Sequence, residues 1–470
     1  MHPVKEACVR QFGQVASDGL ERDREMFGEL LDHHAPLAAG DLQDFGLPEI
    51  ERHSTLAAVR VAVCHAPPPV SCLRSPLSAG VSAMTPAARL SAAIGILDRI
   101  LGGTPAEQAL TNWGRASRFA GSGDRAAVRD LVFDALRCRR SFARAGGAET
   151  GRGLVLGGLR MAGQEVAELF TGEGHAPAPP AGSELEPQAP AELDALDCPD
   201  WLAPALRDSL GADFAPVMEA LRHRAPVFLR VNLARTDRAA AAAELAAEGI
   251  ATQPHPLAET ALEVTENPRR LQASAAYREG RVELQDAASQ AIVAALPLAS
   301  GDRVLDYCAG GGGKSLAMAA RAPIDLSAHD ADPRRMRDLP ERAARAGAEV
   351  RRLAPGDPAR RGPFDLVLAD VPCSGSGSWR RAPEGKWSLT PERLAELRAI
   401  QSTILDEVAP LVRPGGHLAY ATCSLLASEN AGQTDAFLER SPGWARVHQL
   451  RLTPLDGGDG FFLDLLQRNG

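Results

Sequence analysis

The 470 residues allow about three domains, each large enough to bury its own core. With 45% apolar and 24% charged residues, no unbroken apolar run of bilayer length and no signal-peptide core in MHPVKEACVRQ, the chain reads as a cytoplasmic globular protein without a membrane span. A net charge of −9 excludes indiscriminate coating of nucleic acid, and eight cysteines without a Cys-x-x-Cys pair or zinc-type histidine spacing argue against a metal cluster and suit a reducing compartment.

Residues 1–83 have weak periodicity and end in a turn-rich tail, HAPPPVSCLRSPLSAGVSA. They are expected to be an appended, non-native extension or a short helical appendage, with Met84 as a candidate start. A patterned helix begins there, signalled by Thr85 and Pro86, with Leu90, Ile94, Leu97 and Leu101 on one face. A second stripe, Val128, Leu131, Val132 and Leu136, runs beside Arg125, Arg129, Arg137, Arg139 and Arg140. From Met84 to Ala148 ten arginines face five acidic residues, so residues 84–165 read as a basic helical unit inside an acidic protein. TGEGHAPAPPAGSELEPQAPAE is too rich in Pro, Ala and Gly for a packed element and marks 166–195 as a linker.

Residues 196–290 combine helical stretches, PDWLAPALRDSLG and DRAAAAAELAAEG, with strands in VFLRVN and RVELQD, giving a small α+β unit. From 291 to 470 the strands RVLDY, IDLSAHD, FDLVLAD and HLAYAT alternate with the helices KSLAMAARA, PRRMRDLPERAARAG and PERLAELRAIQSTILDEVAPLV. That alternation predicts a parallel sheet covered by helices on both faces, with GGDGFFLDLLQ as an edge strand.

In such a sheet ligands bind at the carboxyl ends of the strands. Here those ends carry Asp306-Tyr307-Cys308-Ala309-Gly310, Asp330, Asp370-Val371-Pro372-Cys373 and Thr422-Cys423-Ser424. The loop DYCAGGGGKS fails the phosphate-loop pattern, because Cys308 stands where the first glycine is needed. Its glycines instead permit close backbone approach to a ligand, and Asp330 lies 24 residues beyond Asp306, where an adenosyl binder places its ribose-binding acid.

Two thiols at one edge suit a particular chemistry. A thiolate that adds to carbon 6 of cytosine makes carbon 5 nucleophilic towards a methyl sulfonium, and a second group then supports release of the adduct. Asp370 is placed to hold the pyrimidine, and a cation such as Lys314 to favour the thiolate. Only three of 51 basic residues are lysine, Lys5, Lys314 and Lys386, so a surviving lysine marks a candidate need for a compact ammonium. Cys8, Cys64, Cys72, Cys138 and Cys198 read as packing residues, as does the side chain of Cys308. Trp379 and Trp387 are open to either base stacking or packing.

DYCAGGGGKS, DVPCSGSGSWRRAPEGKW and YATCSLLASEN, in this order, resemble the signature segments of the Sun family of RNA (cytosine-5)-methyltransferases. PVFLRVN and VELQDAASQ look like the family's small RNA-contacting subdomain and the entry to its catalytic domain. GSGDRAAVRDLVFDALRCRR resembles the NusB-like helical domain of the family's ribosomal RNA small subunit methyltransferase B branch, and its arginines suit phosphate contacts. The resemblance covers 84–470 and implies a multidomain fold. Its parts would be an all-α NusB-like N-terminal domain, a small α+β RNA-contacting subdomain, and a C-terminal α/β Rossmann-like domain that uses S-adenosylmethionine.

The resemblance further implies Cys423 as covalent nucleophile, Cys373 as the thiol that assists release, Asp370 as holder of the base and Lys314 as a catalytic neighbour of the cofactor. The loop of Cys308, Ala309, Gly310, Gly311, Gly312, Gly313 and Lys314 would cradle the methionine end of S-adenosylmethionine, with Asp370 beside it. Asp330 would bind the ribose and Asp357 would lie near the adenine. Gly310-Gly311 depart from the family's usual Ala-Pro and loosen that turn. The implied substrate is a cytosine of small-subunit (16S) ribosomal RNA. A different ribosomal or transfer RNA and a non-catalytic RNA-binding role are the alternatives, and a monomer without metal is expected.

Overall fold

The computed structural model describes residues 84–470, so the extension expected over 1–83 lies outside the described residues. Helix α1 (Pro86–Leu101) starts where the sequence signals it, with the Thr85 side chain accepting from the Ala88 N–H. It is followed by α2 (Ala106–Ala116), α3 (Ser122–Arg137), α4 (Arg139–Gly146) and α5 (Gly151–Met161). Leu90, Ile96, Leu97, Val128, Val132, Leu136, Leu154 and Leu156 form their common core, while Ile94, Leu101 and Leu131 are only partly buried. At Gly157 a Cβ would collide with the Phe142 carbonyl, so only glycine lets α4 and α5 approach this closely.

Most arginines of this helical unit are committed to ion pairs: Arg89 to Asp124, Arg129 to Glu107, Arg137 to Asp134, Arg139 to Glu149, and Arg140 and Arg144 to Asp194. Arg99, Arg115 and Arg118 make none among the described residues and are exposed. The Pro-rich linker is not free of the unit either. Arg152 pairs with Glu184 at 2.7 Å, Arg160 donates to the Glu184 carbonyl at 2.5 Å, and Ser91 donates to the His175 carbonyl at 2.6 Å. Phe170, near the start of that segment, is buried in the helical core, and arginine forks hold the Pro-rich remainder.

The next unit holds a four-stranded antiparallel sheet in the order β2-β3-β1-β4, from β1 (Val227–Val231), β2 (Thr252–Pro254), β3 (Ala261–Val264) and β4 (Val282–Leu284). Leu245 and Ala241 of the helix Arg238–Ala247 pack on Leu229, Leu262 and Val282 of that sheet.

The C-terminal unit is a seven-stranded sheet in the order β10-β11-β9-β8-β5-β6-β7. Its strands are β5 (Arg303–Asp306), β6 (Asp325–His329), β7 (Arg351–Leu353), β8 (Phe364–Asp370), β9 (Val412–Thr422), β10 (Trp444–Leu452) and β11 (Phe461–Arg468). Strands β5 to β9 pair in parallel, but β11 runs antiparallel to both β9 and β10. The sheet is therefore mixed, and FFLDLLQ is not its edge. Phe461 to Leu466 are buried throughout, which requires neighbours on both sides, whereas β10 is largely exposed and carries Arg446 and Arg451, as an edge strand tolerates.

Candidate active site

Strand order reverses between β5 and β8, and the residues singled out in the sequence gather at the carboxyl ends of these two strands and of β9. Strand β8 ends in Asp370, with Cys373 three residues on, and β9 ends in Thr422, followed by Cys423. The thiols meet, Cys373 Sγ standing 3.4 Å from Cys423 Sγ. A hydrogen bond shared with Cys423 raises the Cys373 pKa well above a thiol's ordinary value, and burial raises it further. Cys373 is therefore held as a protonated thiol in contact with Cys423. Cys138 and Cys198 are buried and pushed up to about 12 and about 11, mainly by loss of solvent, as suits packing cysteines.

Lys314 donates to Asp370 Oδ2 at 2.6 Å, and its ammonium stands 4.7 Å from the centre of the Phe461 ring. Burial pulls the ammonium's pKa down, but the Asp370 carboxylate outweighs it and the net shift is upward, so Lys314 stays charged. Asp370 has no second donor among the described residues, which leaves its other oxygen for a ligand.

The glycine loop joins β5 to the helix Gly313–Ala319. Gly310 (φ 51°) and Gly312 (φ 80°) are left-handed, and a Cβ on Gly312 would run into the Leu339 side chain. The departure at Gly310 thus has a structural counterpart, since L side chains rarely adopt its backbone conformation. Asp330 is buried and shapes the loop: its carboxylate accepts from the Gly310 N–H at 2.9 Å and the Asp332 N–H at 3.0 Å, and pairs with Arg335 at 3.1 Å. Asp357 spends its carboxylate locally, accepting from the Ala354 N–H at 3.0 Å and pairing with Arg360. Nothing in the structure ties Asp357 to the loop.

An adenosyl sulfonium cofactor fits this edge on one further observation. Asp306 is buried; Ser315 Oγ donates to its Oδ2 at 2.6 Å, but its Oδ1 has no partner. Burial pushes this carboxyl up to about 7, against the lowering effect of the Ser315 bond. An orphaned buried carboxylate oxygen beside a left-handed glycine loop calls for a donor or cation, and the ammonium of a methionine moiety is one.

Two residues of this site were missed by sequence reasoning. Arg230, on β1, donates from one nitrogen to the Gly313 carbonyl at 2.7 Å and to Gln285 Oε1 at 2.6 Å, stapling the small sheet to the glycine loop. Arg342 donates to the Gly311 carbonyl at 2.5 Å from the other side. Both VFLRVN and VELQD stood out as motifs, but only the fold shows what Arg230 and Gln285 touch. Among the described residues no cluster of metal-binding side chains occurs, and no helix is long and apolar enough to cross a membrane.

Comparison with known proteins agrees with this geometry. The family described as 16S rRNA methyltransferase RsmB/F matches residues 293–461, and the ferredoxin-like domain of RsmF/B-like methyltransferases matches residues 198–269. The ribosomal RNA small subunit methyltransferases B of Salmonella arizonae and Salmonella typhi are each 36% identical over 279 residues, 56% of this chain. The chain spans 65% of the length of these relatives.

Among solved structures, PH0851 superposes with a TM-score of 0.64 at 22% identity, over 82% of this chain and 99% of its own. NSun6 from Pyrococcus horikoshii, solved with SFG, superposes with a TM-score of 0.51 at 17% identity, over 58% of this chain and 98% of its own. These likenesses establish the methyltransferase fold of the C-terminal sheet. With the sequence relatives beside them, the conclusion is that residues 293–461 form a methyltransferase domain of the RsmB/F kind and residues 198–269 the ferredoxin-like domain that accompanies it.

Proposed function

We propose that this protein transfers a methyl group to carbon 5 of a cytosine in RNA, the RNA of the small ribosomal subunit being the substrate. The observation that carries the reading is the 3.4 Å contact between two thiols on neighbouring strand ends. S-adenosylmethionine, when bound, supplies a methyl group on a positively charged sulfur. The residues fitted to hold it are the loop 308–314 through its backbone and Asp306 and Asp330 beneath that loop. Asp357 near the adenine remains an expectation from the resemblance.

The chain's own part is covalent catalysis. The Cys423 thiolate forms a bond to carbon 6 of an extruded cytosine, pushing an electron pair towards carbon 5 and the ring. Asp370 holds the base by accepting from its exocyclic amine, and Lys314 fixes Asp370 in that pose. Once carbon 5 carries the methyl group, its proton passes to solvent water, the electron pair of that C–H bond re-forms the double bond between carbons 5 and 6, and the bond between Cys423 Sγ and carbon 6 breaks with its pair returning to sulfur as the thiolate. Cys373, in contact with Cys423, assists that release. The helical unit over Pro86–Met161 serves as a NusB-like RNA-binding domain, its available cations being Arg99, Arg115 and Arg118 rather than the whole arginine excess.

The test is methyl transfer from labelled S-adenosylmethionine to protein-free small-subunit rRNA, followed by digestion to nucleosides. Label should appear in 5-methylcytidine alone. Label in another nucleoside, or a protein that binds the cofactor and the RNA but transfers nothing, contradicts the proposal.

A further inference from the structure

Glu429 belongs to the short turn Ala427–Glu429 that follows the Cys423 loop, and its side chain is fully buried. No cation pairs with it among the described residues. Such a carboxylate is costly to bury unless hydrogen bonds saturate it, and here four donors do so. Its Oε1 accepts from the Ser374 N–H at 2.8 Å and from Gln401 Nε2 at 3.0 Å. Its Oε2 accepts from Ser424 Oγ at 2.6 Å and from Ser374 Oγ.

The donors are the residues beside the two thiols. Ser374 follows Cys373, Ser424 follows Cys423, and Gln401 also donates to the carbonyl of Pro372, on the other side of Cys373, at 2.9 Å. The two serine hydroxyls lie 3.3 Å apart, and Ser376 Oγ adds a contact to Ser424 Oγ at 3.1 Å. Glu429 is itself fixed from below by Tyr420, whose hydroxyl donates to its carbonyl at 2.6 Å. Two loops from different strands are thereby tied to one carboxylate, immediately behind the only two cysteines that touch among the described residues.

We propose that Glu429 is a positioning residue that sets the approach of Cys373 to Cys423 and so controls release of the RNA adduct. The inference rests on the two-thiol reading above. It is distinct from a packing role, because an apolar or neutral side chain could fill the same space without drawing both loops to a single point. The negative charge acts in the same direction as the geometry: it is one of the influences that hold the Cys373 thiol protonated.

The experiment compares wild type, Glu429→Gln, Ser374→Ala and Cys373→Ala, each incubated with rRNA and S-adenosylmethionine and resolved on a denaturing gel that separates free protein from protein carrying RNA. Thermal unfolding and cofactor affinity are measured alongside. Loss of one charge-assisted hydrogen bond corresponds to about tenfold in rate, so Glu429→Gln should release RNA about tenfold more slowly and accumulate adduct while binding cofactor as wild type does. Ser374→Ala, which removes one link and leaves the carboxylate, should accumulate less adduct than Glu429→Gln. Should Glu429→Gln not fold, Ser374→Ala carries the test alone by the same criterion. Adduct on Cys373→Ala but wild-type release by folded Glu429→Gln and Ser374→Ala overturns the role of Glu429. No adduct on Cys373→Ala overturns the two-thiol reading itself, and this inference with it.

Discussion

Asp306 shows how a residue that is easy to find in a sequence can carry a property that is not. Its place at the end of β5 follows from the strand pattern, but the unpartnered oxygen follows from burial and from Ser315 taking the other one. Burial raises its pKa above the unfolded value of about 3.9, to about 7. A raised carboxyl contributes stability that is complete below the unfolded pKa and is lost as pH rises through the folded one. Without cofactor, wild type should therefore lose stability relative to Asp306→Asn between pH 5 and pH 8, on the order of 2 kcal/mol by urea unfolding. Parallel stability curves for the two proteins contradict this assignment.

The same distinction separates what the residues revealed from what they concealed. Cys373, Cys423, Asp370 and Lys314 are each announced by a local signal, a strand end or a glycine loop, and the fold does bring them together. Arg230 reaches Gly313 across 83 positions and Glu429 reaches Ser374 across 55, and neither carries any local mark of its partner. Of the two lysines that lie in the signature segments, only Lys314 is at the site. Lys386 lies under the helical unit, donating to the Arg137 carbonyl at 3.0 Å, with its pKa lowered to about 8 by burial.

Among the elements, the glycine loop and the end of the sheet behave in opposite ways. The loop was recognised because left-handed backbone leaves glycine in the sequence, whereas β10 escaped notice because an exposed edge strand needs no apolar alternation. The loop's demands differ position by position. Gly312 is left-handed with Leu339 where a Cβ would sit, while a Cβ on Gly313 would meet Gln285 Nε2 at an ordinary 3.7 Å. Gly312→Ala should therefore weaken S-adenosylmethionine binding and lower stability by about 1 kcal/mol or more, while Gly313→Ala changes both little. Calorimetric titration of the two variants decides this, and equal affinities contradict the account of the loop.

In the molecule as a whole, the segment that follows Cys373 is also the dock for the helical unit. Arg137 Nε donates to the Arg380 carbonyl at 2.7 Å, Trp387 Nε1 to the Leu136 carbonyl at 2.6 Å, and the Ala106 N–H to Glu384 at 3.1 Å. Trp379 is fully buried among Leu202, Leu206, Phe214 and Leu425. Trp379 thus serves packing, and Trp387 docks the helical unit through its indole N–H. One stretch of chain carries Cys373 at one end and the anchor of the helical unit at the other, so under the proposed function an RNA held by the helices would be presented to the strand ends where the thiols meet. The measurement that tests this account most directly is covalent trapping of rRNA by wild type, Cys423→Ala and Cys373→Ala in the presence of labelled S-adenosylmethionine. The account predicts that methylation vanishes in Cys423→Ala and that RNA stays covalently attached to Cys373→Ala; methylation that survives in Cys423→Ala contradicts it.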